Sequence, residues 1–535
     1  MFIYAKRIIS VLICVAVLLS LCSCKDGKSV IDTISNLGKT SEPASKDEIG
    51  FTIPYLRTDS LNPYKATSSA NRSIANLMFD SLFSVNSDFE AVNVIAQSYT
   101  FSDKNLSITI KSGLKFSDGS ALTSKDVVYS FELAKKGVVY ASLLENVDTA
   151  TVDGNNKVTF TLTNTNKDEV SNLTFPIIKE NSDINSEEET TVSDEESDEG
   201  STTQSNNSSK LPIGSGRYTL VTNSETKYLQ FNPSRLGGYT PTYTKIGLND
   251  VADTETLQSL FNLQRIDVYL DDFSNGEYTK FSKISGKIEL TDFVFLGINS
   301  ANSALSDPKV RRAIALSLDR TELASDSFAG CAVATSLPFH PSYGKLKNCT
   351  LPTIKSKTEN AVSLLESVGF TKINDAGARY SDNKVLNFTL LVNSENEFRR
   401  SLARGIQQAL ESINIKITIK ESSFSDYKSA IESETFDLYI GETELSNNFN
   451  LSRFFSDNGG LRYGINSKSE SAIYYSDYTK GKVTMQRFID SFSDELPFIP
   501  LAFREGITVS SDKIKTEIRT TPGNGYANID EWTAQ

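Results

Sequence analysis

Histidine is almost absent from this sequence, which has a single one, His340, in 535 residues. No nucleophile motif of the GxSxG type, no HExxH motif and no paired-cysteine cluster accompanies it. The sequence therefore offers no nucleophile and base pair, and bare nickel coordination is disfavoured because nickel sites favour several imidazole ligands. We expect no catalytic residues, no cofactor, no metal site and no enzymatic activity.

The sequence also lacks an excess of positive charge. The net charge is -13, but nine acidic residues and no Lys or Arg lie between 181 and 209. Without that segment and the amino-terminal Lys6 and Arg7, the net charge is about -6, which gives no attraction for nucleic acid. Residues 181–210 lack aromatic side chains, so we predict a disordered surface insertion. The alternative is a site for cations or a basic partner.

The apolar run at the amino terminus, Ile8 to Leu21, is too short for a comfortable membrane span. It leads into Leu21-Cys22-Ser23-Cys24, which resembles the lipobox that is cleaved before an acylated cysteine. Small Ser23 precedes Cys24 whereas bulky Leu21 precedes Cys22, so we expect residues 1–23 to be a signal peptide and Cys24 to be lipidated. The alternative is a transmembrane anchor.

Residues 24–48 have the polar composition of a flexible tether. A tether between the lipid and a folded region starting at residue 49 would let the protein reach a membrane partner. The sequence thus predicts a lipid-anchored protein on the extracytoplasmic face of a bacterial cell membrane.

Cysteine is scarce, since only Cys24, Cys331 and Cys349 remain after removal of the signal peptide. With Cys24 acylated, the other two form an even pair in an oxidising location, and we expect a disulfide between them. The alternatives are two free thiols, or a metal site with His340 between them. A structural zinc site would need further ligands, because such sites use four.

The segment 98–136 has an informative order of elements. Leu106, Ile108 and Ile110 alternate with polar residues, which is typical of a half-buried strand. After a turn, Thr123 and Asp126 have the spacing of a helix capping box. The segment therefore predicts two strands, a turn and a capped helix.

The run from Lys111 to Phe131 closely resembles the signature of the extracellular solute-binding proteins of peptide-type ABC importers, family five. The family pattern "GvkFhDGtplTaeDVvySf" corresponds to GLKFSDGSALTSKDVVYSF in this chain. Further resemblances to the family lie at 60–64, 77–82, 214–220, 293–323 and 496–505. Within 214–220, Arg217 replaces the usual proline, and we expect this replacement to weaken a turn at no cost in chemistry.

The resemblance implies an α/β protein with a two-lobed periplasmic-binding-protein-like fold, type II and cluster C-like, with an extra subdomain in the first lobe. The first lobe is expected at 49–290, the second lobe at 291–492, and a return segment to the first lobe at 493–535. Independently of the resemblance, the residues from Leu386 onward favour consecutive βαβ units with parallel strands.

The resemblance also implies a function. The protein would bind a peptide or similar small solute in a cleft between the lobes, and deliver it as a lipid-anchored monomer to the transmembrane subunits of an ABC permease. Closure requires the solute to contact both lobes, so that the closed form gains free energy. The alternatives are a sensory or chaperone-like lipoprotein that has kept the fold, or a hydrolase.

Two segments supply the expected ligand contacts. In the family, an irregular segment after the "SLDPY" motif touches the ligand through backbone groups, and an acidic side chain in a later segment takes a peptide's amino terminus. Tyr269 is an expected wall residue. By position, the ligand-binding residues would be Thr67, Ser68, Ser69, Tyr269, Gly441, Glu442, Thr443 and Glu444.

The acidic segment has independent support from the strand pattern. Ligands of open α/β sheets sit beyond the carboxyl ends of the strands, and Gly441, Glu442, Thr443 and Glu444 follow the predicted strand 436–440. We expect Glu442 or Glu444 to pair with a cationic group of the ligand. The alternative is that these carboxylates form salt bridges inside the lobe, since structural ion pairs use the same residues.

Overall fold

The structure is a computed structural model that describes residues 49–534, except 183–210, 223–225, 236, 238–239, 278–282, 383, 457–458 and 467. The predicted signal peptide, Cys24, the tether and nearly all of the acidic insertion lie outside the described residues. No described helix combines the length and apolar character needed to cross a membrane.

The strands of the described residues form five sheets. In chain order they are β1 (Ile49–Leu56), β2 (Phe83–Val85), β3 (Ala91–Asn93), β4 (Ala96–Ser102), β5 (Asn105–Ile110), β6 (Val147–Val152), β7 (Lys157–Leu162), β8 (Tyr218–Thr222), β9 (Lys227–Phe231), β10 (Lys245–Val251), β11 (Val268–Asp271), β12 (Gly286–Ile298), β13 (Ala332–Ala334), β14 (Lys372–Ile373), β15 (Arg379–Ser381), β16 (Lys384–Val385), β17 (Asn387–Asn393), β18 (Lys416–Ser422), β19 (Leu438–Glu444) and β20 (Phe498–Ser510).

Most of the described helices flank these sheets. They are α1 (Ser69–Met78), α2 (Ser124–Lys136), α3 (Leu257–Asn262), α4 (Pro308–Ser317), α5 (Arg320–Ser327), α6 (Thr358–Ser367), α7 (Glu397–Glu411), α8 (Phe424–Glu432), α9 (Ser452–Phe455), α10 (Glu470–Thr479) and α11 (Met485–Glu495), with 3-10 helices at Lys167–Asn172, Gly344–Asn348 and Ile529–Glu531.

The predicted strands, turn and capped helix of 98–136 are confirmed. Leu106, Ile108 and Ile110 of β5 are fully buried, as their alternation requires. The capping box of α2 is present: the Thr123 backbone N–H donates to the Asp126 carboxylate at 2.8 Å, and Asp126 receives the Thr123 hydroxyl at 2.9 Å. A capping box satisfies backbone donors that the first helical turn leaves without partners.

The described residues pack around two hydrophobic cores. The first core takes its buried side chains from residues 51–178, 218–248 and 514–532, together with Val268, Leu270 and Ile288. The second core takes nearly all of its side chains from residues 251–509. We call the segments around the first core lobe I and those around the second core lobe II; β11, β12 and β20 join both.

The largest sheet has the order β11-β20-β12-β19-β17-β18 and lies mainly in lobe II. The parallel strands predicted after Leu386 are confirmed, because β17 pairs in parallel with both β18 and β19 while α7 and α8 connect the three strands. The antiparallel pairing of β12 with β19 sets the register that matters for the site. It places Asp292 directly opposite Glu444, and Phe295 opposite Gly441.

Candidate functional site

A cavity of about 880 Å³ lies where the two lobes meet. Lobe I contributes α1, the β2–β3 hairpin and the loop 521–530, and the joining strands and lobe II contribute β11, β12, β19 and their flanking residues. Its volume falls within the range of small-molecule sites, about 300–1,000 Å³. The polar side chains of its wall are Thr67, Ser69, Arg72, Ser73, Asn76, Asp80, Ser81, Ser84, Tyr140, Thr174, Arg217, Arg235, Asp271, Asp272, Ser274, Glu289, Thr291, Asp292, Glu444, Asn447, Arg504, Thr521, Asn524 and Asp530.

The predicted segment Thr67–Ser69 lies at the start of α1, and two of its three residues line the cavity. Thr67 and Ser69 are wall residues. Ser68 is the N-cap, and its hydroxyl donates to the Asp59 carboxylate at 2.6 Å. The backbone N–H groups of Thr67 and Ser68 also donate to Asp59, at 3.1 and 2.9 Å. These backbone donors are therefore bound within the protein.

Asp59 organises this end of α1. Partial burial raises the pKa of its carboxyl group, but the hydrogen bonds from Ser68 and Thr67 outweigh that effect and bring the pKa below its usual value. The carboxylate is charged at neutral pH and fixes the entry of the chain into α1, which positions Ser69 and Arg72 at the cavity wall.

Glu442 is bound inside an ion-pair network. One carboxylate oxygen accepts two hydrogen bonds from Arg399 at 3.2 Å, and the other accepts one from Arg504 at 3.0 Å. The Glu442 side chain is 9% exposed. Burial raises the pKa of this carboxyl group, and the two guanidinium groups lower it by more, so that the pKa lies below its usual value. For Glu442, the structure has the salt bridge that we considered as the alternative.

Glu444 lines the cavity, and so does Asp292 on the neighbouring strand. Sequence reasoning did not find Asp292. Burial, together with the charges of Glu442 and Glu444, raises the pKa of Asp292 to about 7, although Arg504 acts in the opposite direction. The one sequence signal for Asp292 is its position immediately before the apolar run 293–298. That run forms the buried part of β12, and Asp292 lies at its edge. The two carboxylates place negative charge at one end of the cavity.

Two arginine pairs from lobe I form another part of the wall. Arg217 pairs with Asp530 and also donates to the Ala527 carbonyl at 3.1 Å. Arg235 makes a bidentate pair with Asp80, both contacts being 3.2 Å. Sequence reasoning assigned no role to the Arg217 side chain, which lines the cavity and ties the start of β8 to the carboxyl-terminal loop.

The remaining predicted residues lie within strands β11 and β19 and are not part of the cavity lining. Tyr269 is buried in β11, where its ring contacts Phe261 at 5.3 Å between centroids. Gly441 is buried under the ring of Phe295. The Thr443 hydroxyl accepts a weak hydrogen bond from Arg453 at 3.5 Å.

The predicted disulfide between Cys331 and Cys349 is not present, and both are free thiols. Cys331 is buried beside β13, and its sulfur contacts the Ala329 carbonyl at 3.8 Å. Cys349 ends a 3-10 helix, and its sulfur contacts the Lys345 carbonyl at 3.5 Å. Each sulfur is thus oriented toward its own chain segment. The described residues contain no group of three His, Cys, Asp or Glu side chains placed to hold a metal ion.

Comparison with known proteins identifies the family. The model of the bacterial extracellular solute-binding proteins, family 5, middle region, matches residues 90–459. This chain belongs to that family. The resemblance stated from the sequence and the two-lobed α/β fold are therefore confirmed.

Two curated relatives and one solved structure illustrate the range of this family. The oligopeptide-binding protein AppA of Bacillus subtilis is 25% identical over 77% of this chain and 75% of its own length. The nickel-binding protein NikA of Staphylococcus aureus is 25% identical over 95% of this chain and 93% of its own length. The structure of B. subtilis AppA in complex with a nonapeptide has a TM-score of 0.58 at 19% identity and covers 92% of this chain and all of its own.

Family 5 consists of solute-binding receptors rather than enzymes. Relatives of this chain bind, by their names, oligopeptides, nickel or glutathione. The family is extracellular by its description. Its members bind chemically different solutes on one scaffold, so the solute of this chain has to be inferred from its own cavity.

Proposed function

We propose that this protein is the receptor of an ABC importer, and that it binds a short peptide or a similar solute with a cationic amine in the cavity between the lobes. The observation that carries the proposal is the pair of carboxylates, Asp292 and Glu444, in the cavity wall. Neither has an ion-pair partner among the described residues, whereas Arg217, Arg235 and Arg504 each pair with an acidic side chain.

The charge balance of the wall supports this choice of solute. Among the described residues, seven acidic side chains line the cavity against four arginines and no lysine. Like charges that face each other in low-dielectric surroundings repel, and a bound cation removes that repulsion. A solute amine between Asp292 and Glu444 would therefore be favoured over a neutral or anionic group at the same place.

The remaining parts of the proposal rest on the family and the amino-terminal sequence. We infer a protein without enzymatic activity, anchored as a monomer on the extracytoplasmic face of the membrane by a lipid on Cys24, and delivering its solute to permease subunits. The expected lobe boundaries, 49–290, 291–492 and 493–535, remain predictions. The sites at Thr67, Ser69 and Glu444 are the ones that we retain as ligand contacts.

The proposal is tested by calorimetric titration of the solute-free chain with trialanine and with N-acetyl-trialanine. The two peptides differ only in the charged amine. We expect trialanine to bind, and acetylation to weaken binding by at least about tenfold, because the carboxylates of the cavity wall lose their cationic partner. Equal affinity for the two peptides would contradict the role of the carboxylates, and absence of binding by every peptide tested would contradict a peptide receptor.

Two variants test whether the preference for a free amine depends on Glu444. Glu444→Gln should reduce the preference for trialanine over its acetylated form. Glu421→Gln is the matched control, because Glu421 is an exposed residue of β18 outside the cavity lining. An unchanged preference in Glu444→Gln would remove this side chain from the site.

A further inference from the structure

A turn of lobe I inserts an aromatic side chain into lobe II. Phe89 lies at the tip of the turn 86–90 between β2 and β3, whose Phe83 packs in the first core. Phe89 is only 1% exposed, and it is the one described residue between 57 and 250 whose side chain belongs to the second core. This ring therefore crosses from one lobe to the other.

The pocket for Phe89 is built by lobe II. The Phe89 ring lies 4.9 Å from the Phe449 ring and 5.0 Å from the His340 ring, measured between centroids. The Tyr343 and Phe503 rings also contact Phe449, at 4.9 and 5.5 Å between centroids. Burial lowers the pKa of His340 to about 4, so the pocket is uncharged at neutral pH. The pocket suits an apolar ring.

The turn that presents Phe89 is held in an unusual backbone conformation. Phe89 has a φ of 60°, which is rare for a bulky residue that is not glycine. The side-chain oxygen of Asn86 accepts hydrogen bonds from the N–H groups of Asp88 and Glu90, at 3.0 and 2.9 Å. The turn thus keeps a ring directed outward from lobe I, which is unfavourable unless lobe II covers the ring.

Polar contacts surround the inserted ring. The Gly344 N–H donates to the Asp88 carbonyl at 2.9 Å, and Lys347 pairs with the Asp88 carboxylate at 2.5 Å. A Cβ at position 344 would lie 3.0 Å from the Glu90 carboxylate and 3.3 Å from the Asp88 Cβ, so that these neighbours would have to shift slightly to admit it. The two surfaces are therefore closely complementary.

A second contact lies on the 3-10 helix Lys167–Asn172 of lobe I. Asp168 pairs with Lys345, and the Ser171 carbonyl accepts a hydrogen bond from Asn447 at 2.8 Å. Asn447 also lines the cavity, as does Val85 in the strand that leads to the turn. The contacts thus border the cavity and span the same two lobes, so that separation of the lobes would break them.

We propose that the turn 86–90 and the 3-10 helix Lys167–Asn172 form an interlobe latch, which holds lobe II closed over the cavity and must open before a solute can enter or leave. The latch does not depend on which solute the cavity takes. In the ligand-free protein the latch therefore adds to the stability of the closed form, a bound solute adds its own contacts with both lobes, and breaking the latch shifts the population toward an open form.

The parts of the latch should contribute unequally. The ion pairs are partly exposed, with Lys347 62% and Asp88 31% exposed, and exposed pairs change an equilibrium by about fivefold at most. Loss of a fully buried phenylalanine ring changes an equilibrium by about 100-fold or more. Phe89 is the main contact, and the ion pairs adjust its strength.

Hydrogen exchange of the full ligand-free chain tests the latch without any solute. In Phe89→Ala, we expect exchange in the segments 86–90 and 339–349, including the Gly344 amide, to be about 100-fold faster. Exchange in β5 and β17, which lie in the two separate cores, should not change. X-ray scattering should show a larger radius of gyration. Unchanged exchange at Gly344 would overturn the proposal.

Charge-reversal variants test the interlobe latch if Phe89→Ala fails to fold. Lys347→Asp and Asp88→Lys should each accelerate exchange at Gly344 by up to about fivefold, and the double variant should restore the slower rate. Lys157→Asp is the matched control, because Lys157 pairs with Asp153 inside lobe I. A double variant that exchanges as fast as the single variants, or a control with the same effect, would also overturn the latch.

Discussion

Asp292 and Glu444 face each other across the antiparallel pair formed by β12 and β19, and both carboxylates line the cavity. Arg504 lies nearby, but it donates to Glu442 at 3.0 Å and to the Asp272 carbonyl at 2.5 Å. Arg399 on α7 is bound to Glu442 as well. Burial of the Asp292 carboxyl group raises its pKa, the negative charges of Glu442, Glu444 and Asp272 raise it further, and Arg504 offsets only part of this, so that the pKa is about 7.

Asp292→Asn should remove a pH dependence of stability. The carboxyl group has a pKa of about 7 in the folded protein against an ordinary value of 3.8, so the folded state binds the additional proton between these two pH values. Its contribution to the free energy of unfolding thus falls as the pH rises through this window, by up to about 1.4 kcal/mol per pH unit. Urea unfolding of both proteins at several pH values checks this. An identical pH slope in the variant would contradict the placement of Asp292.

Binding of a cationic peptide should release a proton. A solute amine next to Asp292 favours the charged carboxylate, so the affinity for trialanine should rise with pH up to about pH 7 and then level off. Calorimetry in two buffers with different ionisation enthalpies measures the released protons. Asp292→Asn should bind without this release, and a variant that still releases as many protons as the native chain would show that another group titrates.

Glu442→Gln should destabilise the fold, because it leaves the buried Arg504 and the partly buried Arg399 without their shared carboxylate. Breaking one partner of a buried ion pair costs about 3–5 kcal/mol. Glu444→Gln, two residues away on the exposed end of β19, should change the free energy of unfolding by no more than about 0.5 kcal/mol. Urea unfolding distinguishes the two residues. Equal effects would contradict the different roles that we assign to them.

Gly441→Ala should also destabilise the protein through packing. A Cβ at this position would lie 2.3 Å from the ring of Phe295 on the neighbouring strand, so the ring or the strand would have to move. Overpacking of this kind costs about 1–3 kcal/mol. Gly460→Ala is the control, since a Cβ there has no heavy atom within 4 Å. A loss of stability in the control alone would contradict this account of β19.

The two thiols should differ in reactivity. Cys349 is partly exposed, whereas Cys331 is 1% exposed and burial raises its pKa to about 11. A thiol reagent should therefore modify Cys349 in the folded protein and Cys331 only after unfolding. Mass spectrometry of the modified peptides locates the label. Two cysteines that react only after chemical reduction would restore the disulfide that the sequence predicted.

Much of the fold could be predicted because it depends on local patterns. The alternation of Leu106, Ile108 and Ile110 and the Thr123 and Asp126 capping box are decided by neighbouring residues, and the structure has both. The parallel strands after Leu386 follow from the order of the elements. The disulfide prediction was wrong because counting cysteines does not reveal where two distant segments place their sulfur atoms.

The site could be predicted only in part because strand register decides it. The sequence indicated that Glu442 and Glu444 follow a strand, but the choice between them depends on which arginines lie nearby, and Arg399 and Arg504 come from α7 and β20. Asp292 had no motif of its own and becomes part of the site only through its pairing with Glu444. Contacts between residues so far apart in the chain have no local signal.

Native mass spectrometry of the full chain, purified without denaturation, tests most directly whether this protein is a receptor that encloses one small cationic solute. We expect the native mass to exceed that of the denatured chain, with the proposed lipid if it is attached, by one bound small molecule, which is released chemically unchanged on denaturation and carries an amine. A protein that carries no molecule and also binds none of the peptides, or one that releases a converted product, would contradict a solute receptor.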